Sequence, residues 1–203
     1  MSHYSDEDPR VRSHRTSFTL RVGERELTIE TDRGVFARGD LDAGTAVLLR
    51  KAPMPVSGTV LDLGAGYGPV ALAIAASAPT CDVYAVDVND RALALVRDNA
   101  AANGLHNVHA CRPDEVPVDL VFDAVYSNPP IRIGKAVLHD LLRQWLSRLS
   151  PTGTAYLVVQ RHLGADSLHA WLENERFRVT RLASSKGYRV LSVARAGTQS
   201  EER

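Results

Sequence analysis

Apolar and polar residues alternate through FTLRV (18–22) and ELTIETD (26–32) on either side of Gly23-Glu24, which predicts a small β-hairpin. The segment GVFARGDLDAG (34–44) then leads into a short helix over about residues 45–51, closed by Pro53, Pro55 and Gly58. Beyond Thr59 the rhythm changes to strand, turn, helix, strand, repeated. TVLDL (59–63), DVYAVD (82–87), NVHAC (107–111), LVFDAVYS (120–127) and GTAYLVVQ (153–160) predict five strands. Helices are expected between them at 68–78, at 90–103 with Asp90 as cap and Gly104 just past the end, at 135–149, and at 165–174. The third of these carries apolar residues at 137, 138, 141, 142, 145, 146 and 149 and should stop before Pro151. FRVTRLA (177–183) and YRVLSVA (188–194) predict a closing hairpin. Parallel strands need helical crossovers, so this order implies an α/β fold: a doubly wound, mostly parallel, seven-stranded sheet with an N-terminal hairpin extension. Residues 1–15 lack periodicity and are expected to be loose. Residues 16–196 should form a single domain, with 16–58 as hairpin and helix, 59–196 as the core, and 197–203 as a tail.

Composition narrows the setting. The chain has 203 residues, 44% hydrophobic and 24% charged, enough to bury a core without disulfides or metals. Cys81 and Cys111 stand alone, without CxxC spacing or a neighbouring histidine, so neither a disulfide framework nor a zinc site is expected. The longest apolar run, residues 70–76, is far short of the roughly 18 residues of a membrane span. The polar N-terminus reads as neither a signal nor a transit peptide. A cytoplasmic, monomeric protein is the resulting expectation. Basic and acidic residues number 24 each, so bulk charge gives no grip on nucleic acid. Only Lys51, Lys135 and Lys186 are lysines and the other 21 basic residues are arginines, a bias that a GC-rich genome explains at least as well as phosphate binding.

Three motifs carry the chemistry. In VLDLGAGYGP the strand ends through Asp62 and turns on Gly64, Gly66 and Gly68, where a backbone without side chains lets a ligand approach a helix N-terminus. Asp87 ends the next strand, 19 residues after Gly68, where a carboxylate accepts hydrogen bonds from both hydroxyls of a ribose. The spacing is GxGxG with an acid two residues ahead, not the GxGxxG of a dinucleotide site. Ser127-Asn128-Pro129-Pro130-Ile131 follows the fourth strand of the core, beside the glycine turn across the point where the strand order reverses. Alone, each motif also fits a turn without a ligand; together they point to one site.

The glycine turn resembles motif I of the class I S-adenosylmethionine (SAM) methyltransferases, and SNPPI resembles the (N/D)PP(Y/F/I) signature of their amino-methylating members. With GVFARGDLDAGT (34–45), NPPIRIGK and KGYRVLSV, the chain from about 16 to 195 resembles the catalytic half of the RsmC-like small-subunit rRNA guanine-N2 methyltransferases, of the "methyltransferase small" family. It looks like their short single-domain form. That resemblance implies the Rossmann-like methyltransferase fold, SAM as cofactor without a metal, and rRNA or the small ribosomal subunit as partner. It implies that Asp62, Gly64, Ala65, Gly66, Tyr67, Gly68, Asp87 and Val88 bind the cofactor. Asn128, Pro129 and Pro130 would hold the amino group to be methylated. An acid usually closes the third strand near the adenine; Arg112 stands there, and Asp114 is assigned in its place. Phe36, Ile131 and Tyr188 are candidates to stack on the base, and Arg38, Arg132, Lys135, Lys186 and Arg189 to meet phosphate, although each also suits a core or solvated position. Protein-glutamine or adenine-N6 methylation stays open, as does a SAM-binding ribosome-assembly factor without activity.

Overall fold

The computed structural model describes residues 12–35 and 40–196, except for the side chain of Arg132. The alternating segments form β1 (Thr16–Val22) and β2 (Arg25–Thr31), paired from Thr16 opposite Thr31 to Val22 opposite Arg25. Seven further strands form one sheet, in the order β5 (Val108–Cys111), β4 (Cys81–Val86), β3 (Gly58–Leu63), β6 (Phe122–Ser127), β7 (Leu149–Gln160), β9 (Tyr188–Arg195), β8 (Phe177–Ser185). Neighbours from β5 to β7 run parallel, and β9 is antiparallel to both strands beside it. This is the doubly wound sheet expected from the alternation of strands and helices.

Helices α1 (Ala43–Lys51), α2 (Pro69–Ser77) and α3 (Asp90–Ala102) share one apolar core with the β1–β2 hairpin. The other core packs the opposite sheet face against α4 (Lys135–Leu146) and α5 (Ala165–Asn174). Helix α2 is apolar all round, with every residue from Pro69 to Ala76 buried. The sheet takes one of its sides and the hairpin, α1 and α3 the others, so it needs no polar face. The hairpin itself docks through amides. Asn99 accepts from Glu30 N–H (2.7 Å) and donates to Glu30 C=O (2.9 Å), and Asn103 does the same to Thr28 at 3.0 and 2.8 Å. Four helical residues rise about 6 Å and two strand residues about 6.6 Å, so the two asparagines serve as a substitute strand along β2.

Three of the differences from the expected boundaries have a plain physical reason. Asn89, not Asp90, caps α3, accepting from Arg91 and Ala92 N–H. Helix α4 ends at Leu146, because Leu149 is needed opposite Phe122 at the start of β7; an apolar residue in step with a helix is equally buried as the first of a strand. Asp42 starts α1 two residues early by accepting from Thr45 N–H at 2.9 Å. At the N-terminus, residues 1–11 lie outside the described residues, as do 197–203. Ser13 Oγ and His14 N–H donate to Asp32, and Arg15 pairs with Glu30 and Asp98, so the end of the segment expected to be loose is tied to the hairpin. Among the described residues, no helix is long and apolar enough to cross a membrane.

From β3 the chain moves outward to β4 and β5, then returns to β6 on the other side of β3. Ligand crevices form at the carboxyl ends of strands at such a reversal. Leu63 lies opposite Ser127, whose hydroxyl donates to Leu63 C=O at 2.7 Å. The glycine turn and the Asn128-Pro129-Pro130 segment therefore leave the sheet side by side.

Candidate functional site

The turn after β3 is held against the end of β4 by its own backbone. Gly64 and Ala65 N–H both bond to Val86 C=O, and Gly66 N–H donates to Asp87 at 2.8 Å. Gly64, Gly66 and Gly68 all have positive φ, at 74°, 57° and 87°. A Cβ at Gly64 or Gly66 would meet nothing within 4 Å, whereas one at Gly68 would lie 3.0 Å from Val96 Cγ2. The first two glycines thus leave open ground above the turn, and the third allows α2 to pack on α3. Tyr67 turns its ring into the core, edge-on to Phe18, and burial raises its phenol.

Two carboxylates flank the turn. Asp62 is buried, and one oxygen accepts from Ala71 N–H at 2.9 Å in the first turn of α2, whose capping position is a glycine with no side chain to offer. Burial pushes its carboxyl up to about 7; the Ala71 bond opposes the rise, and the charge of Asp87 adds to it. Asp87 accepts from Gly66 and Asn89 N–H, one on each oxygen. Burial raises it as well, against those donors. Val88 N–H is a third donor, and the carboxylate's remaining acceptor capacity is open to a ligand hydroxyl.

Asn128 lies across a small cleft, continuous with solvent and lined among others by Asp42, Thr45, Asp62 and residues 64–67. Its Nδ2 donates to Asp42 Oδ2 at 2.7 Å and to Thr45 Oγ1 at 3.2 Å. Pro129 C=O accepts from Ile131 N–H at 2.8 Å, which leaves it one lone pair. Pro130 opens the short 3₁₀ turn Ile131–Ile133, where Ile131 is half-buried against the α4–α5 core. Tyr188, the first residue of β9, is half-buried and brings its ring to α1. A Cβ on Gly44 would sit 2.9 Å from that ring, 3.0 Å from Asp42 Oδ2 and 3.1 Å from Asn128 Nδ2.

The fold thus gathers Asp62, Gly64, Ala65, Gly66, Tyr67 and Asn128 around one cleft, with Asp87 bonded to its glycine turn and Tyr188 packed at Gly44 beside Asn128. Asp114 is 83% exposed and faces Arg112 at 3.8 Å. Arg112 itself lies over the end of β4, donating to Val88 C=O (2.9 Å) and Asp90 (3.0 Å), while the Val88 side chain points outward. Arg189 pairs with Asp166 of α5 and is only 11% exposed, which removes it from the phosphate candidates. Lys135 begins α4 and Lys186 stands in the β8–β9 turn, both exposed. Phe36, Arg38 and the Arg132 side chain lie outside the described residues. Asp42 and Thr45 were not singled out from the sequence. The available signal was the spacing Asp42-x-x-Thr45 ahead of an apolar run, which marks a helix cap but not its second partner.

The profile described as "Methyltransferase small domain" matches residues 26–192. The chain is similar to the uncharacterized protein YbxB of Bacillus subtilis, with 33% identity over 195 residues, 94% of this chain and 97% of that one. It is also similar to ribosomal RNA small subunit methyltransferase C of Shewanella loihica, at 32% identity, over 72% of this chain but 44% of that protein. Among solved structures it resembles T. thermophilus 16S rRNA N2 G1207 methyltransferase (RsmC) in complex with AdoMet and guanosine. The TM-score is 0.76 at 28% identity, covering 92% of this chain and 52% of that one. The chain therefore spans about half the length of those two ribosomal RNA methyltransferases.

Proposed function

The chain belongs to the methyltransferase small domain family and is a SAM-dependent methyltransferase, and from that premise we propose that it methylates the exocyclic N2 amino group of guanine in small-subunit ribosomal RNA. The observation that carries this reading is the placement of Asn128 across a shared cleft from the glycine turn. The 28% identity to an RsmC bound to AdoMet and guanosine supports the choice of base.

The residues present suit SAM. Open ground above Gly64 and Gly66 leaves room for a ligand against the backbone. Asp87 offers the ribose-binding carboxylate, and Asp62 puts a titratable acid beside a ligand that carries an ammonium and a sulfonium. Bound there, SAM supplies an electrophilic methyl group whose bond to sulfur breaks with the electron pair left on sulfur. An aromatic amino nitrogen is a weak nucleophile, because its lone pair is delocalised into the ring. Asn128 Oδ1 and the remaining lone pair of Pro129 C=O would accept its two N–H groups and aim that lone pair at the methyl carbon. The nitrogen is cationic once the new bond has formed and then releases a proton to water, so no side-chain base is required. Tyr188 and Ile131 offer flanking surfaces for an unstacked base, and Lys135 and Lys186 are placed to meet phosphate.

The test is SAM labelled on its methyl group, offered with deproteinised rRNA, small subunits from cells lacking this gene, and a release factor. Label recovered as N2-methylguanosine from small-subunit rRNA, and lost with Asn128→Ala, is the expected result. Label in another nucleoside would refute the guanine assignment. Label on the release factor would move the reading to protein glutamine.

A further inference from the structure

We propose that Asp42 is a positioning residue for methyl transfer: together with Thr45 it holds the Asn128 amide in the orientation that presents Oδ1 to the incoming amino group. This rests on the role given to Asn128 above. A primary amide has two ends of nearly equal size and opposite polarity, and shape alone does not select between them. With its NH₂ facing the cleft, Asn128 would set donor against donor and repel an amino group. A carboxylate has only acceptors, so a contact of 2.7 Å to Asp42 must come from the NH₂ end. Thr45 Oγ1 takes a second contact from Nδ2 at 3.2 Å, and lies 3.4 Å from Asp42 Oδ2 as a donor. With Nδ2 directed at α1, Oδ1 is the end left for the cleft, and it accepts no hydrogen bond among the described residues.

A helix cap alone does not account for this arrangement. Ser, Thr or Asn caps a helix about as well as Asp, but each brings a donor and would tolerate either end of the amide. The segment is also shaped around the contact. At Gly44 there is no room for a side chain between Asp42, Asn128 and Tyr188, and α1 is drawn in until they meet. The charge has a second consequence. A carboxylate behind the amide polarises it and makes Oδ1 a stronger acceptor. It also places negative charge near a nitrogen that becomes positive in the transition state. The bond between Asp42 and Asn128 spans 86 residues of sequence.

The experiment uses the full chain with Asp42→Asn and Asp42→Ser, both able to cap α1. Expected for Asp42→Asn is a fall in kcat on the order of 100-fold, the scale of a misplaced reacting group, with SAM affinity and melting temperature nearly unchanged. The Asn128 side-chain amide, assigned by its disappearance in Asn128→Ser, is followed by ¹H–¹⁵N NMR without any acceptor present. In the unsubstituted protein one amide proton should be shifted downfield by its charge-assisted bond, and both variants should lose that shift. Unchanged amide signals, or an undiminished kcat, would make Asp42 a helix cap only. So would a loss of SAM binding that parallels the loss of rate. If the amide responds to Asp42 while no acceptor takes label, the proposed acceptor fails and the amide orientation stands.

Discussion

Gly66 and Gly68 share a left-handed backbone but answer to different neighbours, and substitution should separate them. Gly68→Ala presses a methyl group against Val96 and should cost about 2–3 kcal/mol of stability, read in chemical denaturation. Gly66→Ala meets only the strain of positive φ, about 1–2 kcal/mol, yet its methyl group projects into the cleft and should weaken SAM binding by far more than it weakens the fold. Asp87→Ala should weaken SAM binding by about 1.5–3 kcal/mol in calorimetry, by removing the carboxylate proposed to accept from the ribose. Asp62 gives the molecule a pH dependence of definite sign. Its folded pKa of about 7 lies above the ordinary carboxylate value, so the folded state keeps a proton that the unfolded chain releases. Its contribution to stability is present below about pH 4 and is lost as the pH rises to about 7, a change on the order of 4 kcal/mol at most. Asp62→Asn keeps an acceptor for Ala71 and removes the charge. Denaturation of the SAM-free protein should therefore find this variant close to the unsubstituted protein at pH 4 and more stable than it at pH 8.

Among the elements, the docking of the β1–β2 hairpin depends on Asn99 more than on Asn103. Asn99 is buried and also donates to Tyr67 C=O at 3.1 Å, joining the hairpin to the glycine turn. Asn99→Ala takes its partner from the buried Tyr67 carbonyl and from the part-buried Glu30 C=O and N–H, and should cost about 2–4 kcal/mol. Asn103→Ala, where water replaces the lost bonds, should cost about 1 kcal/mol. Hydrogen exchange at Glu30 and Thr28 reads the two separately. The hairpin, the five strands and the helices were legible as elements because each writes its period into neighbouring residues. The ladder from α3 to β2 was not, since an asparagine in a helix carries no mark of what it faces. The end of α4 was misjudged for a related reason: Leu149 fits a helical stripe and a strand end equally well, and only its place opposite Phe122 decides.

At the scale of the whole molecule, ligand binding should stabilise the fold as a unit. SAM at 100 times its Kd should add about 2.7 kcal/mol, which for a domain of this size raises the melting temperature by roughly 5–10 °C, while NAD should leave it unchanged. An equal response to NAD would contradict the cofactor reading drawn from GxGxG. The sequence by itself determined the strand–helix order, hence the doubly wound sheet, and also the residues of the glycine turn and of Asn128-Pro129-Pro130. Those features are local: a turn with positive φ needs glycine, and a strand or helix repeats its own pattern. Packing across the fold alone brings Asp42 and Thr45 to Asn128, sets the Tyr188 ring against Gly44 beside them, and turns Arg189 away to Asp166. It also put Arg112, not Asp114, over the end of β4. A side chain's partner across the fold is set by sheet register and helix packing, and these depend on residues far apart in the chain.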